Sequence, residues 1–206
     1  MKRFIKLAVI IGLLLSTSQL SFAQVKYNVQ AGLNFTEMTN NSLVSSKTGF
    51  RFGLGLNYNF SNNFSIDPSL LIVSKGFRQT NFSINVSPVY LQIPVNATLN
   101  LPLNEKISIL IGVGPYVAYG IGGKGSFVDE NNNRYNGEKL FSKNSFVSML
   151  TYKNRFDAGL NANIGIMFGD IVVYAGGDFG FLPVNNLDFE DKNYNSGFYF
   201  MLSYRF

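Results

Sequence analysis

The sequence predicts an all-β fold, an eight-stranded antiparallel up-and-down transmembrane β-barrel, and three observations predict it. Apolar residues recur at every second position in eight separate runs, the half-buried strand pattern. The connections between those runs alternate between short and long. The positions between the apolar ones carry mainly Gly, Asn, Ser and Thr, with few of the Lys and Glu residues that a water-facing sheet would show.

Residues 1–23 are set apart first. They begin with Lys2, Arg3 and Lys6, continue through LAVIIGLLL and end in SFA, with Ser21 and Ala23 at the small-residue positions of a cleavage site. That is the pattern of a secretory signal peptide, and its apolar run is far short of the roughly 20 residues a membrane-spanning helix needs. The expected barrel domain is residues 24–206. The whole chain has 17 Lys and Arg against 12 Asp and Glu, and three of the bases lie in the signal, which leaves 14 against 12. So small a surplus, with no basic cluster, gives no reason to expect nucleic acid as a partner. The chain has no cysteine, which excludes disulfides, thiol chemistry and a lipid carried on cysteine.

The strands follow in order. The first places Tyr27, Val29, Ala31, Leu33 and Phe35 on one face. The second, GFRFGLGLNYNF, places Phe50, Phe52, Leu54, Leu56, Tyr58 and Phe60 together, against Gly49, Arg51, Gly53, Gly55, Asn57 and Asn59. In the third the apolar set is Phe64, Ile66, Pro68, Leu70 and Ile72; in the fourth it is Val89, Leu91, Ile93, Val95, Ala97, Leu99 and Leu101. Ile107 to Val113 with Val117 and Tyr119 mark the fifth, and Phe156 to Phe168 at even positions the sixth. The seventh runs from Ile171 to Phe181 and the eighth from Phe198 to Phe206. Pro68, Pro94 and Pro115 fall inside these runs, and because proline cannot donate to a ladder a bulge or strand end is expected at each.

Ser61–Asn63, the segment around Pro102–Glu105 and Gly169-Asp170 are the short connections; the long ones cover roughly 36–48, 77–87, 120–153 and 183–195. Short turns at one end and long loops at the other are the layout of an outer-membrane barrel. A soluble barrel would keep its apolar face inside and put solvated charge outside. Here the small polar face suits the cramped interior of eight strands, so the apolar face must turn to lipid, and a sheet at that depth must close to leave no edge. Phe35, Phe60, Tyr119, Phe156 and Phe168, at strand ends, are expected in interfacial belts.

Catalysis finds little support. The chain has no His and no Cys, which removes the common nucleophile–base arrangements and histidine metal sites. Asp67, Asp157 and Asp178 share the predicted inner face with Arg51, Lys75, Arg155 and Arg205. A catalytic carboxylate pair is conceivable, but charges in a narrow lumen must be paired. A plug of salt bridges is expected, for example Arg51 with Asp67 or Arg155 with Asp178, filled out by Tyr90, Tyr116, Tyr174, Tyr199 and Met201. Asp129–Asn133 and Asp188–Asp191 offer oxygen ligands without EF-hand spacing, and GIGGKG at 120–125 lacks the spacing of a phosphate loop. No catalytic, cofactor or metal site is expected.

The segments YLQIPVNATLNL, GVGPYVAYG, RFDAGLNANIGIMF and FYFMLSYRF, with their hallmarks Tyr90–Pro94, Gly114-Pro115-Tyr116 and Phe156-Asp157-x-Gly159, resemble the small outer-membrane β-barrel domain of Bacteroidota, the PorT-like or "porin family" group. The resemblance spans nearly all of residues 24–206 and implies an outer-membrane location, with Pro94 and Pro115 as tolerated features of the wall. Tyr204-Arg205-Phe206 is similar to the aromatic C-terminal signature read by the barrel-assembly machinery. The expected role is that of a structural or interaction protein of the envelope, accessory to secretion or adhesion. Both termini would be periplasmic, and the loop at 120–153 would fold over the mouth and meet a protein partner. A small-solute channel is the alternative.

Overall fold

The computed structural model describes residues 25–38, 44–79, 84–128, 134–140, 155–183 and 194–206. Ten strands run in chain order: β1 (Val25–Met38), β2 (Val44–Asn59), β3 (Phe64–Ser74), β4 (Phe77–Gln79), β5 (Ile84–Pro102), β6 (Ile107–Val128), β7 (Arg134–Lys139), β8 (Phe156–Phe168), β9 (Ile171–Pro183) and β10 (Tyr194–Arg205). Eight of them form a closed antiparallel ring, β1-β2-β3-β5-β6-β8-β9-β10 and back to β1. β4 continues the line of β3 between β2 and β5, and β7 lies on the upper part of β6.

Closure is by hydrogen bonds. β1 pairs with β10 from Asn28↔Arg205 to Met38↔Asn195. Tyr27 N–H donates to the Phe206 carbonyl at 3.1 Å, and Phe206 N–H to that of Tyr27 at 2.9 Å. The ring therefore has no free edge, which a sheet in hydrocarbon requires.

Its outer face is apolar. Phe50, Phe52, Leu54 and Leu56 are 40–62% exposed, and similar side chains stand out from every strand of the ring. Such a band would be far larger than the apolar patches soluble monomers tolerate; lipid is the solvent that suits it. The expected belt residues Phe35, Phe60, Tyr119, Phe156 and Phe168 all face outward.

Short turns are built from their own residues. Ser61 Oγ accepts from the N–H groups of Asn63 and Phe64, and Asn104 Oδ1 accepts from those of Lys106 and Ile107. Between β8 and β9, Gly169 has a φ of +59°, the left-handed region that glycine adopts at no steric cost.

Two expectations about the wall are corrected. The strands run further at the long-loop end than the apolar alternation marks: β2 begins at Val44, β5 at Ile84, and β6 reaches Val128. Much of what reads as loop is strand. There the outer face no longer holds to apolar residues, and outward Ser46, Thr48 and Lys124 are exposed while inward Val86 stays buried.

The prolines are the second correction. None sits at a register shift or a strand end: Pro68 stands opposite Val95, Pro94 opposite Tyr116 and Pro115 opposite Leu160, each in an unshifted ladder. The rungs are missing on the other edge of each. Pairing lapses between Gly55↔Ser69 and Tyr58↔Ile66, between Pro68↔Val95 and Leu71↔Gln92, and between Pro94↔Tyr116 and Ala97↔Val113. A strand residue directs its N–H to one neighbour only, so a proline costs a rung on one side and leaves the other ladder intact. The shift within the β5–β6 ladder lies higher, between Val89↔Gly122 and Tyr90↔Gly120. Next to it Gly123, at φ +138°, leaves no room for a side chain: a Cβ there would lie 2.4 Å from the Ser87 carbonyl oxygen. GIGGKG is thus strand, not phosphate loop.

Candidate functional site: the lumen

The inward positions fill the barrel in layers. Nearest the long-loop end, Lys75 leaves the last turn of wall between β3 and β4 and meets Asp157 of β8, Nζ to Oδ2, at 3.0 Å. Both are almost wholly buried. The same carboxylate oxygen accepts from Tyr116 Oη at 3.3 Å and Asn195 Nδ2 at 3.1 Å. The Lys75 ammonium also lies 4.5 Å from the Tyr116 ring centroid and 5.5 Å from that of Tyr90, within cation–π range.

At mid-height Arg51 of β2 meets Asp178 of β9, Nη2 to Oδ2, at 3.0 Å. Gln92 Nε2 donates to the same oxygen at 3.1 Å and Asn161 Nδ2 to Oδ1 at 2.7 Å. The guanidinium stacks 3.6 Å from the centroid of Tyr199. Four strands and one aromatic face thus hold a single ion pair. A buried ion pair is most stable when its remaining lone pairs and protons are hydrogen-bonded; here both Asp178 oxygens are, while Arg51 Nε and Nη1 are not.

Toward the short-turn end the lining changes. Asn28 Nδ2 donates to Asn57 Oδ1 at 2.8 Å, and Gln30 Nε2 to Asn28 Oδ1 and Ser69 Oγ. Arg205 donates to Tyr174 Oη at 2.8 Å and reaches Met167 Sδ at 3.5 Å, beside the apolar cluster of Leu110, Val172, Tyr174, Tyr199 and Met201. Glycines make space for these side chains: a Cβ at Gly176 would sit 2.5 Å from the Tyr199 ring, and one at Gly165 would be 2.7 Å from that of Tyr174.

Sequence reasoning finds the charged inner residues and mispairs them. Arg51 meets Asp178, not Asp67, and Asp178 is held by Arg51, not Arg155. Arg51 stands opposite Val73, so Asp67 lies several inward positions lower on β3. Asp178 stands opposite Asn161, well along β8 from Arg155 at its upper end. Arg155 is exposed at the mouth. The partners of both ion pairs come from strands that are not neighbours, across the lumen, where strand order alone gives no guide. Gln92, Asn161 and Asn195 were missed as ligands of the buried carboxylates; inward parity was the available signal for Gln92 and Asn161, whereas Asn195 lies in a segment that reads as loop.

Among the described residues no group of three or more acidic side chains is placed to hold a metal ion. Asp129–Asn133 and Asp188–Asp191 lie outside the described residues, as does the whole segment 141–154 of the expected contact loop.

Solved structures that the chain resembles include small outer-membrane barrels. Ail of Yersinia pestis, crystallised with a heparin analogue, is 16% identical with a TM-score of 0.45, the match covering 89% of this chain and 99% of that one. The outer membrane enzyme PagL is 11% identical with a TM-score of 0.48, over 86% and 98%. The N-terminal barrel domain of OprF from Pseudomonas aeruginosa is 7% identical with a TM-score of 0.40, over 87% and 97%. No curated protein sequence matches. Residues 11–202 match the family described as outer membrane protein beta-barrel domain. With the hydrogen-bonded ring and the lipid-suited outer face, that match places the chain in the outer membrane, and the chain belongs to the outer membrane protein beta-barrel domain family.

Proposed function

We propose that this barrel is a plugged, non-catalytic protein of the outer membrane that acts through its long-loop end as a structural or interaction protein, accessory to secretion or adhesion. Residues 1–23 serve as its export signal and Tyr204-Arg205-Phe206 as its assembly signal. The reading of a PorT-like member of the Bacteroidota group belongs to the same proposal. The observation that carries it is the lumen: Arg51–Asp178 and Lys75–Asp157 close it at two heights with groups that are nearly all buried. An eight-stranded barrel is only just wide enough for its own side chains, and here those side chains are tied to one another. Asp157 and Asp178 are each committed to a cation, which leaves neither carboxylate free to act as a general base.

What remains for function is the projecting rim. β5 and β6 span 19 and 22 residues, where about 9–11 cross a bilayer. The excess, with β7 paired to it, raises one side of the wall beyond the membrane. That platform, continuing into the loop at 120–153, is the proposed contact surface for an envelope protein.

The test has two parts. Purified protein in a planar bilayer is expected to pass no steady current; steady single-channel currents altered by Arg51→Ala would reject the plug and establish the small-solute channel. Crosslinking in cells is expected to capture a partner with the full chain and not with residues 129–153 deleted. Equal capture by both would reject the loop as the contact surface.

A further inference from the structure

Beneath the Arg51–Asp178 layer lies a cavity of about 30 Å³ whose wall includes Arg51, Asp67, Asn96, Thr98, Asn163 and Tyr174. That is room for at least two water molecules. Asp67 is only 8% exposed and its Oδ1 has no hydrogen-bond partner. Neither has Asn96 Oδ1, although Asn96 Nδ2 is bound to Asn161. Asp67 and Asn96 stand opposite one another in the β3–β5 ladder, so their two open acceptors share one wall. Arg51 supplies the converse: Nη2 is in the ion pair, but buried Nε and Nη1 have no partner.

Charge decides what can occupy such a place. The buried lumen holds Arg51, Lys75 and Arg205 against Asp67, Asp157 and Asp178, which balance. A metal cation would leave an uncompensated positive charge beside Arg51, and a hard divalent ion takes six to eight oxygens where this wall has one carboxylate. An anion would face Asp67. Open donors and open acceptors in one small cavity call for a neutral molecule that does both. We propose that this cavity is a built hydration site, in which two water molecules bridge Asp67 Oδ1 and Asn96 Oδ1 to Arg51 Nε and Nη1. Asp67, which has no ion pair among the described residues, is tied through water to the plug above it and is a positioning residue for Arg51. The inference stands on the lumen geometry and does not depend on the interaction role proposed for the rim.

The experiment is water–protein magnetisation transfer by NMR on the isotope-labelled full barrel in phospholipid nanodiscs. Long-lived water cross-peaks are expected at Arg51 Nε–H and Asn96 Nδ2–H. Asp67→Leu, which places an apolar side chain in the cavity, is expected to lose both, whereas Asp67→Asn, of the same size and still polar, keeps them. Absence of the cross-peaks in the unaltered protein overturns the site whatever the variants do. So does a melting temperature that shifts when Na⁺ is exchanged for K⁺ or Ca²⁺ at fixed ionic strength and ceases to shift in Asp67→Asn, since that pattern assigns the cavity to a cation.

Discussion

The upper and lower halves of this lumen are built on opposite plans. Above, ion pairs crossing between distant strands are wrapped by tyrosine rings and amides: Lys75 and Asp157 with Tyr90 and Tyr116, Arg51 and Asp178 with Tyr199. Below, neutral amides and hydroxyls join strands that are adjacent or one apart, Asn28 to Asn57 and Gln30 to Ser69, and inward Gln30, Ser69, Asn96 and Asn163 are only half-buried. The difference teaches where an eight-stranded barrel puts its strongest interactions. Direct ion pairs form where the cylinder is closed and dry, whereas in the half that keeps open space the buried charges Asp67 and Arg205 stand among neutral polar groups.

The comparison breaks most sharply if one partner of an upper pair is removed. Asp178→Ala leaves Arg51 buried beside Gln92 and Asn161 with no carboxylate, and is expected to cost about 3–5 kcal/mol in urea unfolding from lipid vesicles. Replacing both partners, Arg51→Met with Asp178→Leu, is expected to cost much less. A double variant as unstable as Asp178→Ala would mean that the layer holds the wall by more than charge pairing.

The outside of the wall supplies the next largest effect. Leu54 is 62% exposed to lipid, and Leu54→Arg is expected to cost about 2–4 kcal/mol at mid-membrane. In the lower lumen, Asn57→Ala removes the acceptor of Asn28 Nδ2 and is expected to cost about 1–3 kcal/mol. An Asn57 loss as large as that of Asp178 would erase the distinction between the halves. Smallest is the turn: Gly169→Ala forces an alanine into a φ of +59° and is expected to cost about 1 kcal/mol.

How much of this could be read from the chain follows from which solvent each position meets. Phe50 to Leu56 alternate without exception because one face meets hydrocarbon and the other a narrow interior, so the strands across the membrane were legible. Val44 to Thr48, Ile84 to Ser87 and Gly122 to Val128 were not, because outward positions such as Ser46, Thr48 and Lys124 are polar there, which breaks the apolar alternation. The charged members of the plug were legible by parity. Their pairing was not, because Arg51 and Asp178 lie on β2 and β9, brought within 3.0 Å only by closure of the ring. Asp67 shows the same gap: parity places it inside, but only the registers show that neither Arg51 nor Lys75 pairs with it.

The staggered prolines divide the cylinder mechanically. Missing rungs occur at the β2–β3, β3–β5 and β5–β6 seams, each displaced along the barrel from the last, while the β6–β8, β8–β9, β10–β1 and β1–β2 ladders are unbroken. The wall is therefore a stiff arc joined to a compliant one, and ovalising distortion from the surrounding bilayer concentrates along the oblique line through Pro68, Pro94 and Pro115. Those three seams are where amide hydrogens in the membrane zone should exchange first, and where the circumference can lengthen without any strand leaving its register.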